Sequence, residues 1–206
     1  MPSVKSKIRF AFSCFSFLAL LISISNSSAK ESAGNVSARP TQWAVPLEVK
    51  GLPNLHRVDI NLYRSAQPED GSGEAIKSLG IKTVLNLREH DKDIVLRKTS
   101  GIGFKQYPLH TWDIDDRDIV AVLKIITNPT NQPILVHCAH GADRTGLMMA
   151  SYRMIVQGWS KEDARKEMKQ GGYEFHAIWK NIDRRIDKMD IAKMRSEIFE
   201  TPLPGN

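Results

Sequence analysis

Pro133-Ile134-Leu135-Val136-His137-Cys138-Ala139-His140-Gly141-Ala142-Asp143-Arg144-Thr145-Gly146 is the stretch that decides how this chain is built. Ile134 to Val136 is a short apolar run behind a proline, the pattern of a buried strand. Leu147 to Gln157 is apolar and long enough for a helix, with Gly158 as its stop. A cysteine therefore sits at the tip of a strand, and a glycine-containing loop leads into a helix. Such a loop suits an anion, because successive N–H groups form a nest and the helix N-terminus adds partial positive charge. Arg144, six residues after Cys138, brings a planar fork that matches two phosphate oxygens. The same surroundings favour thiolate over thiol and make Cys138 a nucleophile. Thr145 is placed to donate its hydroxyl to that sulfur or to the leaving one.

His-Cys, five residues, then Arg-Thr-Gly resembles the signature of the cysteine-dependent protein tyrosine phosphatase superfamily. Leu62-Tyr63-Arg64-Ser65-Ala66-Gln67-Pro68, the run Leu79 to Arg88, and Tyr152 to Trp159 extend the likeness. Together they resemble the compact bacterial dual-specificity phosphatases, in particular the periplasmic ones linked to biofilm control, over residues 40–190. The resemblance implies that Ala139, His140, Gly141, Ala142, Asp143 and Arg144 hold the phosphoryl group and that no metal or cofactor is needed. Zinc has no CxxC or HExxH to bind, and the loop lacks the Gly-Lys-Ser/Thr of a nucleotide site.

The resemblance also implies a general acid on a mobile loop ahead of the cysteine, the place occupied by His110-Thr111-Trp112-Asp113-Ile114-Asp115-Asp116. Asp115 with Asp118 reads as an N-cap and its N3 acid, opening a helix through Thr127. Asp116 falls in that helix's first turn, where negative charge is favourable. Asp113 is left free and is the expected acid, with Asp115 and Asp116 as alternatives. In the compact phosphatases the stretch like Tyr63-Arg64-Ser65 lies near the site, so Arg64 is open to two readings, substrate contact or structural ion pair. His137 is expected to order the loop by hydrogen bonding rather than to move protons.

Residues 1–29 have the parts of a secretory signal: Lys5, Lys7 and Arg9, then an apolar stretch from Phe10 to Ile24, then Asn26-Ser27-Ser28-Ala29. The apolar stretch is short for a membrane span, so the segment is expected to be cleaved, leaving no stable span, with an uncleaved anchor as the alternative. The full chain carries 29 basic and 23 acidic residues, a net +6; cleavage removes three basic and no acidic ones and halves that excess. With no lysine–arginine run, nucleic acid is not an expected partner. Cleavage also removes Cys14 and leaves Cys138 alone, which excludes an internal disulfide.

Residues 30–42 are small and polar, a flexible lead-in to one phosphatase domain over 43–200. Val58, Ile60 and Leu62 alternate in a half-buried strand with a bend, Ile81–Leu87 and Phe104–Leu109 are further strands, and Glu89–Ser100 contains a helix. A short helix ends at Gly80, another runs from Ser160 to Gly171-Gly172, and Ile178, Ile182 and Ile186 mark a last amphipathic one. The expected fold is a single α/β domain with a parallel-rich central sheet flanked by helices and the site at a strand's C-terminal end.

The expected product is an exported, periplasmic, monomeric phosphatase. Its substrate is a phosphorylated protein, tyrosine with some serine/threonine tolerance, such as the periplasmic part of an inner-membrane signalling protein. Enzymes for inositol phosphates and pyrophosphates tend to carry lysine or arginine inside the loop, which is absent between Cys138 and Arg144. Asp143, if it faces the pocket, would oppose a second phosphate. The competing readings are an inositol phosphate or pyrophosphate phosphatase of the same fold and an inactive phosphate-binding module.

Overall fold

The strand β6 (Ile134–His137) is fully buried between two layers of helix, which is why it reads as a continuous apolar run rather than an alternating one. The computed structural model describes residues 39–199, residue 91 excepted. The secretory signal expected over residues 1–29 lies outside the described residues, as does most of the lead-in. Among the described residues, no helix is long and apolar enough to cross a membrane.

The other strands are β1 (Val45–Pro46), β2 (His56–Arg57), β3 (Leu62–Ser65), β4 (Thr83–Asn86) and β5 (Gly103–Gln106). They make one six-stranded sheet in the order β1-β2-β3-β6-β4-β5. The pairs β3–β6, β6–β4 and β4–β5 are parallel, and β1 and β2 add an antiparallel edge. This is the single α/β domain that the sequence implies.

Two helices, α1 (Gly73–Ser78) and α2 (Ile94–Ser100), cover one face, where Ile76 and Leu96 pack on Tyr63, Val84 and Leu135. The opposite face carries α3 (Asp116–Thr127), α4 (Asp143–Ile155), α5 (Lys161–Gln170), α6 (Lys180–Lys188) and α7 (Ile191–Phe199). Leu62, Leu85, Ile134 and Val136 form the core there with Ile119, Leu123, Leu147, Met148, Ile182 and Ile186. Burying a side chain of this size is worth about 1.5–3 kcal/mol, so the alternation within each strand clamps the sheet between both layers.

Register places the site. Ser65 pairs with His137, His137 with Asn86, and Asn86 with Gln106. The C-terminal ends of four parallel strands are therefore level, and the loops leaving them share one edge of the sheet.

Three expectations are corrected. Ile60 is 81% exposed, because Asp59 Oδ1 accepts from the Asn61 amide at 2.8 Å and bends the chain between β2 and β3. Ile178 is 79% exposed and lies before α6, so only Ile182 and Ile186 of that trio are buried. The last helix is α7, whose Met194 and Ile198 return to the core. Four-residue spacing across a helix start misassigned Ile178 (the helix begins two residues later).

Candidate active site

Cys138 follows the last residue of β6 and is buried. The six carbonyls from residue 137 to 142 are all engaged. His137 C=O accepts from the Leu87 amide at 2.9 Å, and Cys138 C=O lies 3.2 Å from His137 Nδ1. Ala139 C=O accepts from the Gln67 amide at 3.1 Å, and His140 C=O from Asn54 Nδ2 at 2.9 Å. Gly141 C=O accepts from Arg64 Nη2 at 2.6 Å, and Ala142 C=O from the Gly146 amide at 2.9 Å. In a trans peptide the N–H points opposite to the C=O. Carbonyls tied to the surrounding protein therefore leave the following amides facing the inside of the loop. The Gly146 bond is also the first of the α4 ladder, so the amides of Asp143, Arg144 and Thr145 have no helical carbonyl to bond.

Gly141 is required at its position. Its φ is +71°, and a Cβ there would lie 2.5 Å from the Ser65 carbonyl oxygen. The loop thus presses directly on the end of β3. Under it Arg64 is fully buried, with its guanidinium 3.6 Å from the Tyr173 ring centroid. Burial pulls the Arg64 pKa down to about 10, while Tyr173, Glu167 and Cys138 act to raise it. It remains a cation at neutral pH. Of the two readings open for Arg64, neither describes what it does: it holds a loop carbonyl and stacks on a tyrosine.

Behind the cysteine, His137 Nε2 lies 3.2 Å from Asp93 Oδ2. Asp93 also accepts from Asn86 Nδ2 at 2.7 Å and Gln67 Nε2 at 2.5 Å. Burial would raise its pKa, but the bond and charge of His137, with the two amide donors, hold it below the usual carboxylate value. A buried carboxylate thus orients His137, and His137 in turn reaches the Cys138 carbonyl.

Arg144 lies at the opposite side of the loop, with Nη1 3.2 Å from the Leu109 carbonyl and 3.5 Å from that of Leu87. Thr145 is fully buried, and its hydroxyl has no hydrogen-bond partner among the described residues. The Asp143 carboxylate is turned towards His176, accepting from its amide and meeting Nδ1, each at 2.9 Å. Asp143 can therefore serve the loop through its amide, and the premise that its charge faces the pocket is not met. His140 is exposed, its ring centroid 5.5 Å from that of His176.

The three acid candidates have separated. Asp115 caps α3, accepting from the Arg117 and Asp118 amides, and Asp118 Oδ2 accepts from the Asp115 amide in return. Asp116 pairs with Arg185 Nη1 at 2.8 Å. Asp113 is exposed at the end of a turn closed by its own amide on the His110 carbonyl, and its carboxylate has no partner among the described residues.

Sequence reasoning missed Asn54 and Asp93. Asn54 has a φ of +53°, a conformation that asparagine tolerates, and it follows a proline in the loop before β2. That turn signal was legible, but the side-chain reach to His140 was not. Asp93 lies in a charged run that gives no sign of its burial.

Residues 52–177 match the family model described as "Tyrosine phosphatase family". The dual specificity protein phosphatase TpbA of Pseudomonas aeruginosa is 34% identical over 164 residues, covering 79% of this chain and 74% of TpbA. The chain belongs to the tyrosine phosphatase family. The TpbA crystal structure superposes with a TM-score of 0.71 at 31% identity, covering 78% of this chain and 98% of that one. A form of TpbA with one cysteine changed to serine, in complex with phosphotyrosine, gives the same score at 30% identity. The catalytic core of the PP-IP phosphatase SIW14 from S. cerevisiae has a TM-score of 0.60 at 26% identity, covering 72% of this chain and 92% of SIW14. Inositol diphosphatase DSP2 of Arabidopsis thaliana is 26% identical over 181 residues, 64% of this chain and 70% of DSP2. The chain is a cysteine-dependent phosphatase of the tyrosine/dual-specificity type.

Proposed function

We infer that this phosphatase is exported to the periplasm, where it hydrolyses phosphotyrosine, with some phosphoserine and phosphothreonine, in proteins through a phosphocysteine intermediate. The observation that carries the mechanism is the set of engaged carbonyls, which prepares the loop amides for an anion before substrate arrives. Cys138 thiolate attacks phosphorus, forming the S–P bond as the P–O bond to tyrosine breaks. The loop amides and Arg144 hold the non-bridging oxygens, and Thr145 donates its buried hydroxyl to sulfur. Asp113, protonated, gives its proton to the departing phenoxide. As a carboxylate it then takes a proton from water, whose oxygen displaces sulfur and releases phosphate.

Substrate choice rests on the absence of lysine or arginine between Cys138 and Arg144 and on likeness to TpbA, which has been seen with phosphotyrosine. Export rests on residues 1–29 as a cleaved signal, with 30–42 as lead-in and 43–200 as the phosphatase domain. A phosphorylated periplasmic part of an inner-membrane signalling protein fits both. Because Asp143 is turned to His176, it no longer argues against a second phosphate, and likeness to SIW14 and DSP2 keeps inositol pyrophosphates as the competing substrate.

The test is metal-free phosphate release by residues 30–206 from phosphotyrosine peptide, phosphoserine peptide and inositol hexakisphosphate. Cys138→Ser abolishes turnover, and Asp113→Asn lowers kcat about 10²–10⁴-fold, the usual contribution of a general acid. Preference for the inositol substrate overturns the substrate reading; full activity in Asp113→Asn overturns the acid.

A further inference from the structure

A groove of about 140 Å³ lies beside the acid loop, lined by Trp112, Asp113 and Ile114 on one side and Asn181, Arg184, Arg185 and Lys188 of α6 on the other. The charges of α6 are sorted by face. Its acids turn to α5, where Asp183 meets Lys169 at 2.8 Å and Asp187 pairs with Arg165. Three of its four bases, Arg184, Arg185 and Lys188, line the groove, and Lys180 at its start does not. Arg185 is held by Asp116, whereas Arg184 and Lys188, one helical turn apart, have no carboxylate partner among the described residues. Asn181 Nδ2 donates to the Thr111 carbonyl at 2.7 Å and fixes this basic face to the acid loop. Trp112, 64% exposed, forms a wall of the groove. The match to the family pattern ends at residue 177, before this helix begins.

We propose that the groove is a substrate subsite in which Arg184 and Lys188 bind an anionic side chain, a carboxylate or a second phosphoryl group, carried by the peptide that bears the phosphotyrosine. The inference deepens the phosphotyrosine reading and rests on it. Asp113 delivers its proton to the leaving oxygen, so the groove it lines adjoins the side from which the peptide departs. A peptide anion placed there meets two cations that no carboxylate pairs among the described residues; Asp113 on the facing wall carries the proton it donates, and Asp143 is turned to His176 rather than opposing the anion.

The experiment compares kcat/KM for three phosphotyrosine peptides differing only in flanking residues: glutamates, phosphoserine, or lysines. Wild type prefers the glutamate and phosphoserine peptides over the lysine peptide by about tenfold, the effect of 1.4 kcal/mol. Arg184→Glu with Lys188→Glu inverts the order, a gain on the lysine peptide that misfolding cannot produce. Equal rates in wild type, or an acidic preference surviving the double reversal, overturn the subsite. If wild type turns over no tyrosine peptide, the phosphotyrosine reading fails by itself. Titration of the same peptides onto Cys138→Ser then decides the groove, equal affinities overturning it. Dependence on Arg184 and Lys188 confined to inositol hexakisphosphate also overturns the peptide assignment.

Discussion

The two sides of the catalytic edge are built to different standards. The phosphate loop has every carbonyl from residue 137 to 142 bonded, a glycine packed on β3, and two buried charged groups, Arg64 and Asp93, beneath it. The acid loop is held at its ends, by a His110–Glu89 pair, an Arg144 contact at Leu109, the Asn181 bond to Thr111, the Asp115 cap and the Asp116–Arg185 pair, but between them one turn bond leaves Trp112 and Asp113 in solvent. The difference fits the two tasks proposed for these loops. An anion cradle works through dipoles already in place, and reorganising them during reaction would waste their effect. An acid that must admit a substrate and then approach its leaving oxygen needs few fixed bonds.

The comparison breaks most visibly at Arg64. In Arg64→Met the stem volume is kept, the Gly141 carbonyl loses its buried donor, and a cation leaves the vicinity of Cys138. An unsatisfied buried acceptor costs about 1–3 kcal/mol. The expected loss in kcat/KM is about 10–100-fold, the size given by the same cost through about 1.4 kcal/mol per decade. The reaction of Cys138 with iodoacetamide at a fixed neutral pH slows, because a neighbouring cation that favours negative charge on sulfur is gone. Arg64→Lys restores part of both. A lowered melting temperature with an unchanged alkylation rate would reduce Arg64 to a packing residue.

What could be read from the chain divides along the same line. Cys138, Arg144 and Gly141 stand within one contiguous stretch, so strand, loop and helix start were legible together. Asp115 and Asp118 were legible as a cap because capping is local, and the freedom of Asp113 followed by elimination. Asn54, Arg64 and Asp93 hold the loop from 44 to 86 residues away in the chain. No spacing encodes such contacts; the register of β3, β4 and β6 creates them. The exposed Ile60 and Ile178 mark the converse failure, where local periodicity ran through a bend and past a helix start.

Asn181 sharpens the comparison from the mobile side. Asn181→Ala removes its 2.7 Å bond to the Thr111 carbonyl, worth about 0.5–1.5 kcal/mol, without touching the cradle. The expected result is a fall in kcat of about two- to tenfold by the same conversion, with inhibition by inorganic phosphate unmoved. A weakened phosphate inhibition instead would show that the two loops are mechanically one unit.

The smallest effect tests the support beneath the fixed side. His56 stacks edge-on against Tyr173 at 4.7 Å, the ring that carries Arg64. Burial lowers its pKa from 6.5 to about 4; the Asn54 carbonyl opposes the shift, the charges of Arg64 and Arg39 add to it, and Glu167 again opposes. Between those values the unfolded chain takes up a proton that the folded chain refuses. Stability from this group is therefore complete above pH 6.5 and is lost as the pH falls towards 4, with a slope of at most about 1.4 kcal/mol per pH unit. Asp93, whose pKa is lowered, adds a loss at still lower pH as it is protonated in the fold. His56→Gln keeps a polar side chain of similar reach and cannot titrate. Its denaturation midpoint should depend less on pH between 6.5 and 4 than that of wild type, with the two curves converging in slope below that window. An unchanged slope would mean that His56 is protonated in the folded state, and that a second cation already sits against Tyr173 beside Arg64.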